Sequence, residues 1–87
     1  MKNILVTGGC GFIGSNFIRT ILQERDDIHI INLDKLTYAG NPANLREFEF
    51  DPYYTFVKGD ICNAELVDFI FYHYKIKYVI NFAAESH

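Results

Sequence analysis

No apolar run in these 87 residues approaches the length needed to cross a bilayer, since a spanning helix takes about 20 consecutive apolar residues. The start of the chain also lacks the charged stretch, apolar stretch and cleavage site of a secretory leader, because it enters a strand-like run almost at once. The expectation is a cytoplasmic protein. Basic residues number 8 against 11 acidic ones, and no basic run or stripe is present that would neutralise a nucleic-acid backbone, so nucleic acid is excluded as the expected partner. Cysteine is scarce: Cys10 and Cys62 have no metal-ligand spacing, and two thiols at loop and strand-end positions fit a reducing compartment better than a disulfide scaffold. Free thiols and no metal are expected, and no repeat or linker divides the chain.

What is present is a chain 49% apolar and 16% aromatic. That composition excludes a disordered tail and suits a sheet buried on both faces. At this length there is at most one small domain, which buries roughly 60–65% of its unfolded surface and is marginally stable alone. Periodicity predicts strand 3–7, helix 12–25, strand 29–33, a short helix near 42–48, strand 54–58, helix 63–74 and strand 78–83. Asn41-Pro42 reads as an N-cap followed by proline at the first helical position, and Asn63 reads as a second N-cap. The alternation points to an α/β fold of the Rossmann type, a doubly wound parallel sheet with strand order 3-2-1-4 and its ligand crevice at the carboxyl ends of the strands.

The densest signal is Ile4-Leu5-Val6-Thr7-Gly8-Gly9-Cys10-Gly11-Phe12-Ile13-Gly14, an apolar run that breaks into glycines and opens a helix. Two glycine registers fit, Gly9-x-Gly11-x-x-Gly14 and Gly8-x-x-Gly11-x-x-Gly14. Each puts glycine where backbone turns tightly, approaches a phosphate and lets the helix pack on its strand. Free N–H groups at the helix start then face cofactor oxygens, with the macrodipole favouring negative charge. Phe17, Ile18, Ile21 and Leu22 repeat at helical spacing, and the second strand ends in Asp34, twenty positions after Gly14. A carboxylate there accepts hydrogen bonds from both adenosine ribose hydroxyls and repels a 2′-phosphate, so NAD is expected over NADP, a preference that Lys35 softens. The other strand ends carry Gly59-Asp60 and Ala83 to His87, so small and acidic residues collect at one edge of the sheet.

Thr7 to Ser15, Asp34 to Asn41, Gly59 to Cys62 and Phe82 to His87 together resemble the extended short-chain dehydrogenase/reductase superfamily and, within it, the dTDP-glucose 4,6-dehydratase family. The resemblance runs over nearly the whole chain, which corresponds to the first quarter or so of such an enzyme and to the N-terminal part of a single NAD-binding domain. It implies that Gly8, Gly11 and Gly14 form the cofactor turn, with Phe12 and Ile13 against the pyrophosphate. It places Asp34, Lys35, Leu36 and Thr37 around the adenosine ribose and Asp60 and Ile61 at the adenine. Phe82, Ala83, Ala84, Glu85 and Ser86 would line the path to the nicotinamide, with Ser86 reaching the sugar nucleotide.

Family chemistry implies oxidation at glucose C4 with NAD, loss of water across C5 and C6, and return of the hydride to C6. The resemblance also implies a homodimer. The tyrosine base and the acid and base of the elimination would lie beyond His87, so this stretch has no catalytic residue and is expected to be inactive by itself. Cys10 departs from the alanine common in the family. Another epimerase or decarboxylase of the superfamily, or a non-catalytic dinucleotide-binding module, are the alternative readings.

Tyr54 and Lys58 fit the pattern Tyr-x-x-x-Lys used by the superfamily, but on a strand four residues span about 13 Å, so the match is accidental. His29 and His73 have no partner at ligand spacing and read as packing or exposed residues. Glu85, beside two alanines at a strand end, suits either a structural hydrogen bond or a substrate contact. Tyr53, Tyr54, Tyr72, Tyr74 and Tyr78 read as half-buried packing residues, because no basic residues interleave them.

Overall fold

A computed structural model of the chain describes residues 1–36 and 42–82. Thr37 to Asn41 and Ala83 to His87, and with them the expected cap at Asn41, lie outside the described residues. Strand β1 (Lys2–Thr7) leads through the glycine loop into helix α1 (Phe12–Glu24), then β2 (Ile28–Asp34), a 3-10 helix over Pro42–Phe48, β3 (Tyr54–Lys58), α2 (Ala64–Tyr74) and β4 (Tyr78–Asn81). The strands form one parallel sheet in the order β3-β2-β1-β4. This is the expected doubly wound arrangement, with β1 and β2 in the centre.

The central strands are near-continuous apolar runs because both of their faces are covered. Ile4 and Val6 of β1 join Ile28 and Ile30 of β2 on one face, where Ile18 of α1 and Leu45 and Phe48 of the 3-10 helix cover them. Leu5, Ile31 and Leu33 point the other way and meet Ile70 of α2. The period-2 alternation of the strands thus feeds two separate cores. Burying each such aliphatic side chain contributes roughly 1.5–3 kcal/mol.

Local chemistry sets the element ends. Asn63 caps α2, its side-chain oxygen accepting from the Leu66 N–H at 3.1 Å. The helix stops at Lys75, which adopts the left-handed conformation (φ 51°). The 3-10 helix is kinked at Leu45 and tied to α1 by Arg19, whose guanidinium pairs with Glu47 and donates to the Asn44 carbonyl. Strand ends are drawn level by backbone bonds that continue the ladder: Gly8 N–H to Leu33 O, Gly59 N–H to Asp34 O, and Phe82 N–H to Thr7 O.

Two tyrosine expectations need correction. Tyr72 on α2 and Tyr78 on β4 are exposed rather than half-buried. Helix α2 buries only Ile70 fully, and β4 has no described element across its outer edge, so Tyr72 and Tyr78 stay on the surface.

Candidate functional site

The loop between β1 and α1 sits at the carboxyl edge of the sheet, and its path follows from three glycines with different duties. Gly8 takes a positive φ of 74°, which turns the chain out of β1. A Cβ on Gly14 would lie 2.7 Å from the Gly8 carbonyl oxygen and 2.8 Å from the Gly9 Cα, so its absence lets α1 start directly against the loop. Gly11, the N-cap, has ordinary extended backbone (φ -74°, ψ 177°) open to any residue. The turn therefore does not demand glycine there.

Helix α1 begins without a side-chain cap and without an acidic residue in its first turn. Ser15 is the first residue whose N–H returns to the loop, donating to Gly11 O at 2.9 Å. Among the described residues nothing accepts from the N–H groups of Phe12, Ile13 and Gly14. A helix N-terminus so arranged presents unsatisfied donors and a partial positive charge. Phe12 and Ile13, 79% and 69% exposed, flank it with apolar side chains.

Asp34 closes the site from the end of β2. One carboxylate oxygen accepts from the Cys10 N–H at 2.8 Å and the other from the Leu36 N–H at 2.8 Å. Two of the roughly four lone-pair positions of a carboxylate are thereby used and two remain for hydroxyl donors. Leu36 holds a left-handed φ of 59°, an uncommon conformation for a residue with a Cβ, within the segment expected at the ribose. Lys35 reaches across to Asp60 at the end of β3, 3.4 Å away, with both side chains about half exposed. The Cys62 backbone N–H, more than Lys35, holds the Asp60 carboxyl below its usual range.

Gly8, Gly11, Phe12, Ile13, Gly14, Asp34, Lys35, Leu36, Asp60 and Ile61 therefore follow the ends of β1, β2 and β3 along one edge. Phe82 follows β4, and its half-buried ring packs on Phe17 with centroids 5.5 Å apart, against the core under α1. Thr37, Ala83, Ala84, Glu85 and Ser86 lie outside the described residues.

The discounted candidates take structural positions. Tyr54 and Lys58 lie on β3. Burial pushes the Tyr54 phenol up to about 12, far from a base at neutral pH. Burial, then the Asp34 carboxylate, pushes the Cys10 thiol up to about 11, so this cysteine stays a protonated, unreactive filler. His29 bonds Thr55 Oγ1 at 2.8 Å, and His73 stacks on Phe69.

Two asparagines escaped the sequence reading. Asn32 is wholly buried beneath the loop, accepting from the Gly9 N–H at 3.0 Å and donating to the Tyr54 hydroxyl at 3.1 Å. Asn44 donates to the Cys10 carbonyl at 2.9 Å. Asn32 had a signal: with Asp34 it is one of two polar residues in register with Ile28 and Ile30 on the same face of β2. Asn44, on a short 3-10 helix, had none.

Known proteins share this arrangement. The dTDP-glucose 4,6-dehydratase of Haemophilus influenzae is 53% identical over all 87 residues, which make up 25% of that protein. The crystal structure of dTDP-glucose 4,6-dehydratase from Bacillus anthracis in complex with NAD superposes with a TM-score of 0.94 at 48% identity, over 98% of this chain and 27% of that one. The Streptomyces venezuelae dTDP-glucose 4,6-dehydratase with NAD and TYD bound gives a TM-score of 0.86 at 46% identity, again over 98% of this chain and 27% of the other. The chain thus spans about a quarter of the length of the relatives it matches. A family model described as GDP-mannose 4,6 dehydratase matches residues 5–87, and the chain belongs to that family.

Proposed function

We propose that this chain is the N-terminal, NAD-binding part of a nucleotide-sugar dehydratase that converts dTDP-glucose to dTDP-4-keto-6-deoxyglucose with loss of water. The observation carrying the cofactor half is the start of α1, where three N–H groups without acceptors among the described residues, an open Gly11 and exposed Phe12 and Ile13 make a cradle of the right chemistry for a diphosphate. The residues present fit NAD. Gly8, Gly11, Phe12, Ile13 and Gly14 hold the pyrophosphate, and Asp34, Lys35, Leu36 and Thr37 surround the adenosine ribose. Asp60 and Ile61 flank the adenine, while Phe82, Ala83, Ala84, Glu85 and Ser86 lead to the nicotinamide and, through Ser86, to the sugar. The chemistry NAD supplies when bound is reversible hydride acceptance.

The residues described here bind and orient. Asp34 offers its two remaining lone-pair positions to the ribose hydroxyls, and its charge opposes a 2′-phosphate. Lys35, the residue that follows it, is held toward Asp60. The substrate half rests on the relatives, which carry that activity in their names and are 53% and 48% identical to this chain. The acid and base groups of the elimination belong to the remainder of the protein, which we take to complete the sheet, add the sugar domain and form a homodimer. A cytoplasmic location is supported by two free thiols, Cys10 and Cys62, and by the absence, among the described residues, of any helix long and apolar enough to cross a membrane.

The test is incubation of the full-length protein with dTDP-glucose and NAD, followed by mass analysis. A product lighter by one water is expected. Interconversion of UDP-hexoses with no water lost would replace this reading with that of an epimerase. Failure of the folded protein to bind NAD would remove the cofactor half.

A further inference from the structure

We propose that Asn32, held by the Tyr54 hydroxyl, is a positioning residue that sets the orientation of the Gly9–Cys10 backbone and thereby aims the α1 N-terminus at the diphosphate. The inference rests on the cofactor reading above and extends it to a residue that reaches no ligand itself.

Asn32 and Asp34 stand two residues apart on β2, so they project to the same face under the loop. Each takes one of two consecutive backbone donors: Asn32 Oδ1 accepts from Gly9 N–H at 3.0 Å, and Asp34 Oδ2 from Cys10 N–H at 2.8 Å. Turning those two N–H groups inward commits the peptides of the loop, and the donors of Phe12, Ile13 and Gly14 at the start of α1 are left without acceptors among the described residues. The fit between loop and amide is tight. A Cβ on Gly9 would fall 2.4 Å from Asn32 Oδ1 and 2.5 Å from Ile18 Cδ1, so the loop rests directly on the amide.

The amide itself cannot rotate freely. Its nitrogen donates to Tyr54 Oη at 3.1 Å and to Cys10 Sγ at 3.5 Å, which fixes which end of the group faces Gly9. Core packing gives no reason for an amide at this position. Ile28 and Ile30 on the same face of β2 and Ile18 of α1 are aliphatic, and a leucine, branched at the same carbon, would avoid desolvating a polar group. The polar residue is explained by what it does for the loop, as buried and fully satisfied networks generally specify one geometry.

The experiment measures binding of NAD, ADP and adenosine to the full-length protein and to its Asn32→Leu and Tyr54→Phe variants. Asn32→Leu is expected to weaken NAD and ADP at least tenfold while adenosine, which lacks the diphosphate, changes less than twofold. Tyr54→Phe frees the amide to rotate and is expected to give the same pattern at about threefold. A merely structural role predicts equal weakening of all three ligands, and that result, or unchanged NAD binding by folded Asn32→Leu, overturns the proposal. If Asn32→Leu does not fold, Tyr54→Phe decides alone by the same criterion. A protein that binds none of the three before substitution overturns the cofactor reading as well, whereas NAD binding that the variants leave intact overturns only this inference.

Discussion

Gly14 and Gly59 show how the same missing methyl group has different consequences. At Gly14 an added Cβ meets backbone, the Gly8 carbonyl and the Gly9 Cα, and backbone there can yield only by moving the loop. At Gly59 the obstruction is the Leu66 Cδ2 methyl at 2.3 Å, the far end of a side chain that can change rotamer. Gly14→Ala is therefore expected to destabilise by about 1–3 kcal/mol and to abolish NAD binding, with Gly59→Ala losing less than about 1 kcal/mol and keeping it. Urea titration and NAD binding on the two variants check this. Equal losses would mean that the loop is looser than its contacts indicate.

At the scale of the element, α2 carries a favourable start and an unfavourable stop. Asn63 satisfies the Leu66 N–H, and truncating it to alanine is expected to lower stability by about 1 kcal/mol. Lys75 ends the helix in the left-handed region, which costs a residue with a Cβ roughly 1–2 kcal/mol. Lys75→Gly removes that strain while adding freedom to the unfolded chain, and a net gain of about 1 kcal/mol is expected. Thermal melts should move in opposite directions for the two variants, and a Lys75→Gly protein that melts lower would show that the lysine side chain supports the helix end in some other way.

Across the whole molecule, His29 joins three elements. It lies on β2, bonds Thr55 on β3 at 2.8 Å and meets the ring of Tyr74 on α2 edge-on. Burial holds its imidazole below the ordinary value of 6.5. A depressed histidine binds fewer protons folded than unfolded, so stability is unaffected well above pH 6.5 and falls as pH drops through that value. Carboxylates held low, Asp27 and Asp60, act only in more acid solution. The urea midpoint should thus fall between pH 7.5 and 5.5, and the fall should shrink in His29→Gln; an unchanged difference would assign the effect elsewhere.

The same scale exposes β4. Tyr78 and Val79 are exposed, as are Phe69 and Tyr72 of α2. An uncovered apolar edge strand templates pairing with another chain. The isolated 87-residue chain is expected to self-associate with rising concentration, and Val79→Lys to suppress it. Sedimentation showing the same monomer for both would refute this.

The elements themselves were legible because their signals are local. Apolar runs of strand length, helical spacing at Phe17, Ile18, Ile21 and Leu22, and the Asn63 cap each depend on neighbours in sequence, and the strand order follows from general rules of parallel sheets. The glycine loop and Asp34 were legible too, since their spacing is set by the length of one βαβ unit. What only the tertiary structure decided was how the loop is held: that Asp34 already bonds Cys10 and Leu36, that Asn32 supports Gly9 and leans on Tyr54, and that Asn44 reaches Cys10 from 34 residues away. Such bonds join residues remote in sequence, and a buried amide or tyrosine declares its partner only once the strands carrying it are side by side.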